Sequence, residues 1–256
     1  MTHVTWGIVI ACGKGEQLTP EAEIPFLNLG SKPVLSYSLM AFEQCADISG
    51  VVVVVSKERM DTVLGMSQMF GFSKVQKVVH GGTQRKSAVL AGLKALPEEV
   101  TMVCVHDASR PCVAQALIIE TIKTAKRYGS GVAAVEIPDV VKEVEKGLTV
   151  ARTLKGGSSW AVQTPQSFKR DVLEKAYNTA NRKKAQIEDD STALELIGEE
   201  VHLVPADSKN LRIRSADDFN MAMAFMKPAS VSNGVKTPTP EVQAGVGLSQ
   251  RPPLFR

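Results

Sequence analysis

The chain has 256 residues, of which 44% are hydrophobic and 22% are charged, a balance typical of a globular α/β protein with an ordinary buried core. No apolar run is long enough to cross a bilayer. The net charge of +3 is that of the segment 227–256 alone, which holds four basic residues and one acid, so the remainder is neutral. A neutral body argues against general nucleic-acid binding, which needs a basic face.

Apolar, β-branched segments alternate with helical patterns along the first half of the chain, as in a parallel sheet with crossover helices. Five consecutive valines at 51–55 suit a strand that is buried on both faces. The predicted strands in this half are 6–11, 50–56, 74–80, 101–107 and 131–137. The predicted helices between them are 33–45, 57–71, 83–96 and 114–129, the last of which ends at a glycine cap.

The second half of the chain begins with a segment that stands apart from the sheet. Residues 139–154 alternate around a Lys146–Gly147 turn and predict a β-hairpin. Residues 160–168, "WAVQTPQSF", are interpreted as a turn before a helix, with Pro165 at or near the first helical position. The remaining predicted elements are a strand at 200–206 and helices at 167–184, 190–199 and 215–226.

These elements predict an α/β fold with one doubly wound, mostly parallel sheet and a projecting β-arm at about 137–160. The domain is expected to span residues 1–227. Residues 228–256 hold five of the thirteen prolines and few side chains that can pack, which predicts a disordered tail. The four cysteines are scattered without a C-x-x-C pair, so we expect no zinc site and free thiols in a reducing cytoplasm.

A ligand of a doubly wound sheet lies outside the carboxyl ends of the strands. Four polar loops are expected to meet at that rim, namely 12–18, 81–85, 106–111 and 207–212. Their convergence predicts a binding site more strongly than any single motif does.

The first of these loops carries two glycines within "ACGKGEQL", residues 11–18. Gly13 and Gly15 would let backbone N–H groups approach a phosphate closely, although many strand-to-helix turns carry glycines for geometry alone. A dinucleotide-binding fingerprint needs a third glycine where Leu18 stands, and the P-loop motif is absent. The sequence therefore disfavours a dehydrogenase or a P-loop enzyme.

Charged residues on the other three loops are candidates for ligand binding. Arg85 lies in the first turn of a helix, where a cation is unfavourable, so we expect either an anionic partner or a surface ion pair. Asp107 ends a buried strand and suits a metal ion, a ribose hydroxyl or a helix cap. Arg212 points toward the same rim. His106 is interpreted as a packed or hydrogen-bonded side chain, and Asp189 and Asp190 as helix caps.

Taken in order, five segments resemble the 2-C-methyl-D-erythritol 4-phosphate cytidylyltransferase family over roughly residues 4–226. "VHDASRP" resembles V-H-D-A-A-R-P, "GGTQRKSAVLAGL" resembles G-G-x-x-R-x-x-S-V-x-x-G-L, and "QTPQSF" matches Q-T-P-Q-x-F. "EDDSTALE" resembles T-D-[DE]-A-S-x-x-E, and "NLRIRSADDF" resembles N-x-K-[IV]-T-x-P-x-D-[LF]. The resemblance implies a Rossmann-like nucleotidyltransferase fold.

The same resemblance implies a chemistry and a set of site residues. The family joins CMP from CTP to a sugar-alcohol phosphate in the non-mevalonate isoprenoid route, uses Mg²⁺, and forms a homodimer whose arms exchange contacts. The implied catalytic residues are Lys14, Asp107 and Arg212, with Asp107 also the metal ligand. The implied nucleotide-binding residues are Ala11, Cys12, Gly13, Gly15, Gly82, Thr83, Arg85, Ala88 and Asp107, and the implied substrate-binding residues are Arg110, Lys142, Thr164 and Gln166.

Two cations of the family's pattern are replaced in this chain. The arginine of A-A-G-x-G-x-R-M falls on Gln17, and the lysine of the P-K-Q segment falls on Ile24. Smaller departures fall on Ala88 and Val140, where the family has a serine and a threonine. Loss of one transition-state contact typically lowers the rate by about 10²–10³, so two hypotheses follow. In the first, the protein is an enzyme in which Lys14 replaces a missing cation, and it acts on this or another phosphorylated acceptor. In the second, it is a catalytically impaired homologue that serves as a dimeric nucleotide-binding or regulatory protein.

Overall fold

The structure is a computed structural model that describes residues 3–13, 16–19, 22–154 and 157–226. The predicted tail at 228–256 lies outside the described residues, as do Lys14 and Gly15 of the glycine loop. In the described part of the chain no helix is both long and apolar enough to span a membrane.

One seven-stranded sheet organises the domain, which confirms the predicted α/β class. Its strands are β1 Thr5–Ile10, β2 Gly50–Val55, β3 Val75–His80, β4 Met102–Asp107, β5 Ser130–Glu136, β8 Trp160–Lys169 and β9 Leu203–Pro205, while β6 Lys142–Val144 and β7 Val150–Thr153 form a separate hairpin. The strands of the sheet run in the order β9-β5-β8-β4-β1-β2-β3. β1 pairs in parallel with both β2 and β4, so the carboxyl ends of these central strands lie at one edge of the sheet.

Strand β8 corrects the prediction of a turn at 160–168. It is ten residues long and pairs antiparallel with β4 on one side and β5 on the other. Pro165 falls where the register with β5 shifts between Val162 and Gln166, which is the kind of position at which a sheet tolerates a residue without an N–H. The polar composition of this strand hid it, because four buried polar side chains (Gln163, Thr164, Gln166 and Ser167) replace the usual apolar pattern.

Seven α-helices lie in the described part of the chain, of which six pack on the two faces of the sheet and the last, Ala216–Met226, packs in a separate apolar cluster through Ala222. Two apolar clusters, one on each face, form most of the core. α4 ends at Gly129, whose φ of 97° is the left-handed cap predicted from the sequence. The bounds are α1 Val34–Gln44, α2 Met60–Phe70, α3 Arg85–Ala95, α4 Gln115–Tyr128, α5 Arg170–Arg182, α6 Asp190–Glu195 and α7 Ala216–Met226.

The predicted hairpin is present and carries exposed apolar side chains. β6 (Lys142–Val144) pairs antiparallel with β7 (Val150–Thr153) around a turn in which Gly147 has a φ of 79°. The exposed apolar residues of the arm, with its neighbour Val162, are Val140, Val144, Leu148 and Val150.

Candidate active site

All four predicted rim loops contribute to one cavity at the carboxyl ends of the central strands. This rim cavity has a volume of about 240 Å³ and is lined by Gly13 and Glu16 from the first loop, Thr83 and Arg85 from the second, Asp107 and Arg212 from the other two, and also by Ile10, Cys12, Ile187 and Glu188. A second cavity of about 460 Å³ shares Cys12, Gly13, Glu16 and Thr83 with it and extends along Ala11, Gly82 and Gln17. The expected convergence is confirmed.

Asp107 lies at the centre of the charged residues of the rim cavity. Its Oδ1 accepts a hydrogen bond from Arg85 Nη1 at 2.5 Å, while its Oδ2 lies 3.6 Å from Arg212 Nη1 and 3.9 Å from Arg110 Nε. Burial on its own would raise the pKa of Asp107, but Arg85, followed by Arg212 and Arg110, holds that pKa well below its usual range. The carboxylate is therefore ionised at any physiological pH.

Arg85 has two buried acidic partners, and one of them corrects a sequence-based interpretation. Its Nη2 donates to Asp190 Oδ2 at 2.6 Å in addition to the bond with Asp107. Asp189 is the N-cap of α6 and accepts from Thr192 N, as predicted. Asp190, interpreted from the sequence as a second cap, is instead a fully buried ion-pair partner that also accepts from Tyr177. The helix-start position of Arg85 was the signal that such an anion exists.

Glu16 is a site residue that sequence reasoning missed. It is only 3% exposed, and its Oε1 accepts from Ser109 Oγ at 2.9 Å and from Arg212 Nη2 at 2.9 Å. Burial, together with the carboxylate of Asp107, raises the pKa of Glu16 to about 7, although Arg212 and Ser109 act in the opposite sense. A glutamate beside a glycine is common in exposed turns, so nothing in its local sequence indicated burial.

Residues of strand β8 within "QTPQ" make hydrogen bonds to residues that form the site. Thr164 Oγ1 accepts from the backbone N–H of Asp107 at 3.0 Å and lies 3.1 Å from His106 Nδ1. Gln166 Nε2 donates to Asp189 Oδ2 at 2.9 Å, and its Oε1 accepts from Ser191 N at 3.1 Å. Burial lowers the pKa of His106 to about 4, so this histidine is neutral and hydrogen-bonded, as its interpretation from the sequence requires.

Five predicted site residues line neither cavity in the described structure, namely Thr164 and Gln166 of β8 together with Arg110, Ala88 and Lys142. Arg110 is buried behind Asp107 and donates from Nη1 to Asn210 O at 2.8 Å. Ala88 is buried in α3, and a Cβ placed on Gly81 would lie 3.3 Å from its Cα. Lys142 lies on the arm and donates to Thr153 Oγ1 at 2.7 Å. Their assigned roles therefore stay predictions.

The two positions at which family cations are replaced have different environments. Gln17 is exposed and lines the larger cavity, so a longer basic side chain there would have room to reach the site. Ile24 is 0% exposed and belongs to an apolar cluster with Leu29, Val34, Ile213 and Ala222. The branched side chain at position 24 thus packs beneath the loop that carries Arg212.

The side chains at the cavity suit a divalent cation that is bound mainly by the phosphates of a nucleotide and only in part by the protein. Among the described residues there is no group of three or more His, Cys, Asp or Glu side chains placed to bind a metal ion together. Mg²⁺ commonly binds through one or two carboxylates plus substrate phosphates and water, so a single ionised aspartate at the cavity wall fits it. Asp107 is the residue that meets this requirement.

A mostly parallel sheet with a glycine loop, two arginines and one ionised aspartate at its carboxyl edge defines a nucleotide-binding α/β protein. The model of the 2-C-methyl-D-erythritol 4-phosphate cytidylyltransferase family matches residues 5–228. The enzyme of that name from Desulforamulus reducens is 36% identical over 222 residues, which are 86% of this chain and 94% of the relative.

Two further comparisons agree. The cytidylyltransferase from Alkaliphilus oremlandii is 30% identical over 221 residues, 86% of this chain and 94% of the relative. The crystal structure of 4-diphosphocytidyl-2C-methyl-D-erythritol synthase from Anaerococcus prevotii has the same fold, with a TM-score of 0.79 at 24% identity over 88% of this chain and 97% of that one. The chain belongs to the 2-C-methyl-D-erythritol 4-phosphate cytidylyltransferase family.

Proposed function

We propose that this protein transfers CMP from CTP to 2-C-methyl-D-erythritol 4-phosphate. The observation that supports the proposal best is the meeting of Arg85, Asp107 and Arg212 at one rim cavity, in a chain whose relatives carry that activity in their names. In the reaction an oxygen of the acceptor phosphate attacks the α-phosphorus of CTP, and the bond to the β-phosphate breaks to release pyrophosphate. Such chemistry needs positioned charge rather than a covalent nucleophile.

The residues of the rim cavity have distinct proposed roles. The glycine loop and Thr83 offer backbone N–H groups and close approach to the phosphates, together with Ala11, Cys12 and Gly82 on the adjoining wall. Arg85 and Arg212 stabilise negative charge that develops on the phosphorus oxygens. Asp107 would hold Mg²⁺, which when bound draws charge from the phosphates and favours departure of pyrophosphate.

Acceptor binding and dimerisation are proposed together. Arg110, with a buried Nε that has no hydrogen-bond partner in the described residues, is the proposed contact for the acceptor phosphate. Thr164 holds the backbone of Asp107 beside it, and Gln166 holds the start of α6. We further propose a homodimer formed through the arm, whose apolar side chains are exposed in the single chain. Lys142 on the arm would then act at the site of a second copy.

The cysteines bear on the proposed location of the protein. Free thiols at all four cysteines suit a cytoplasmic location.

The competing hypothesis of an impaired homologue rests on the replacement of two cations. It predicts binding of Mg-CTP without turnover. Incubation of the purified protein with CTP, Mg²⁺ and 2-C-methyl-D-erythritol 4-phosphate, with pyrophosphate and the cytidine diphosphate product both measured, separates the two. The second product is the diphosphocytidyl ester of the acceptor, not free cytidine diphosphate. Equal amounts of this ester and of pyrophosphate support the transferase, while binding of Mg-CTP by calorimetry with no product supports the impaired homologue.

A further inference from the structure

The glycine loop contributes the buried carboxyl group of Glu16 to the place where phosphates are proposed to bind. The Oε2 atom of Glu16 is buried and has no hydrogen-bond partner in the part of the chain that the structure describes. Both cavities have Glu16 in their walls. A buried, half-satisfied carboxylate costs stability, and such costs concentrate at functional sites.

Arg212 is shared between two carboxylates. Its Nη2 lies 2.9 Å from Glu16 Oε1, and its Nη1 lies 3.6 Å from Asp107 Oδ2. Its Nε also donates to Ser109 Oγ at 3.1 Å, and that hydroxyl donates to Glu16 in turn. The contact with Glu16 is therefore oriented by a second side chain and is not a chance encounter of two flexible groups.

The charges of the ion-pair network at the site balance when Glu16 is ionised. Three arginines face three buried carboxylates, because Arg85 lies between Asp107 and Asp190, Arg110 lies near Asp107, and Arg212 bridges Asp107 and Glu16. A polyphosphate that enters this site needs an arginine whose charge is not already neutralised. Of the three carboxylates, Asp107 is the proposed metal ligand and Asp190 lies at the base of α6, so Glu16 is the one whose charge serves neither purpose.

We propose that Glu16 is a specificity-determining residue that competes with the phosphates of the nucleotide for Arg212. The inference rests on the proposed function, because it concerns the same phosphate site. It assigns to Glu16 the control of how strongly the site favours ligands of higher negative charge. Replacement of Glu16 by aspartate, glutamine or alanine would then change that preference. If Glu16 had a purely structural role, the same replacements would change stability alone.

The test is calorimetric titration with cytidine, CMP, CTP and inorganic tripolyphosphate at fixed Mg²⁺ and about pH 8.5, well above the pKa of about 7 of Glu16, so that its carboxylate is charged in the wild type. The proteins are the wild type, Glu16→Gln, Glu16→Ala and the matched control Glu23→Gln. Glu23 also lines the larger cavity, but its Oε1 pairs with Arg59 Nε at 3.1 Å rather than with Arg212. Melting temperatures without ligand show whether each variant is folded, and Glu16→Ala answers the question should Glu16→Gln fail to fold.

Removal of the competing charge should tighten binding of tripolyphosphate and CTP by at least about tenfold, with a smaller gain for CMP and none for cytidine, while Glu23→Gln changes binding by less than about threefold. A gain for tripolyphosphate with no CTP binding by any protein would uphold the role of Glu16 and contradict the proposed function. Unchanged or weaker tripolyphosphate binding in the Glu16 variants, an equal gain in Glu23→Gln, or no binding to any protein would overturn the inference.

Discussion

Arg85 and Asp190 form a 2.6 Å ion pair although 105 residues separate them in the chain. The pair joins the first turn of α3 to the first turn of α6, and Asp190 is fully buried. Because Arg85 also binds Asp107, this contact fixes the guanidinium that faces the rim cavity. It links the stability of the fold to the geometry of the site.

Replacement of Asp190 by alanine should therefore destabilise the protein. Loss of one partner of a buried ion pair leaves the other charge partly uncompensated, so we expect a fall of about 3 kcal/mol in the free energy of unfolding, measured by urea denaturation. The control is Glu143→Gln, which breaks the exposed pair with Arg152 on the arm and should cost less than about 1 kcal/mol. Equal effects of the two variants would show that the buried Asp190 pair contributes no more to stability than the exposed pair on the arm.

An arginine at position 17 should accelerate the reaction. Gln17 is exposed in the wall of the larger cavity, where the family pattern has an arginine. Gln17→Arg should raise kcat by at least about tenfold with little change in the KM for CTP, because the added cation acts where charge builds on the phosphorus. Gln68→Arg, which adds the same charge on the exposed surface of α2, is the control and should leave both constants unchanged. No gain in kcat would indicate that another group already fills the role.

A lysine at position 24 should damage the fold instead of restoring activity. Ile24 is 0% exposed inside an apolar cluster, so Ile24→Lys would bury an unpaired charge. We expect a loss of at least about 3 kcal/mol in the free energy of unfolding. Gln17→Lys, in the exposed part of the same loop region, should change it by less than about 0.5 kcal/mol. A stable, more active Ile24→Lys variant would mean that this side chain reaches the site after all.

The titration of Glu16 should appear in the pH dependence of stability. Burial raises its pKa to about 7, whereas an unfolded glutamate titrates near about 4.3. The folded state holds this proton more tightly, so the carboxyl's favourable contribution is fully present below about pH 4 and is lost as the pH rises to about 7. The difference in free energy of unfolding between wild type and Glu16→Gln, measured by urea denaturation, should fall across that range. A constant difference would show that the carboxyl titrates normally.

The proposed arm interface makes a prediction about oligomeric state. Leu148 is 84% exposed at the tip of the arm, and Leu148→Asp should shift a dimer toward monomer in gel filtration with light scattering at micromolar concentration. Met69 is 79% exposed on α2, so Met69→Asp is the matched control and should leave the dimer intact. A monomeric wild type would contradict the proposed interface directly.

Most of the fold could be predicted because apolar periodicity reports burial. The five-valine strand and the glycine cap of α4 are examples, and each was found where the pattern indicated. Strand β8 could not be recognised, since its buried polar residues are satisfied by partners distant in sequence, such as Asn210 with Gln163. Local pattern carries no information about such partners.

The site was predicted less completely than the fold, for a related reason. A residue that ends an apolar strand, such as Asp107, or a glycine in the loop after one, such as Gly13, could be found from position alone. Glu16 and Asp190 acquire their roles only from ion pairs across 196 and 105 residues. The burial of Ile24 could not be predicted either, because the family has a lysine at this position and the side chain was therefore expected to face the ligand.

The most direct measurement is pyrophosphate release from Mg-CTP with and without 2-C-methyl-D-erythritol 4-phosphate, compared between wild type and Asp107→Asn. We predict acceptor-dependent release by the wild type, with the diphosphocytidyl ester of the acceptor formed in equal amount, and a rate lower by about 10²–10³ in Asp107→Asn. Wild-type protein that binds Mg-CTP yet releases no more pyrophosphate with the acceptor than without it would contradict the proposed transfer of CMP to this acceptor.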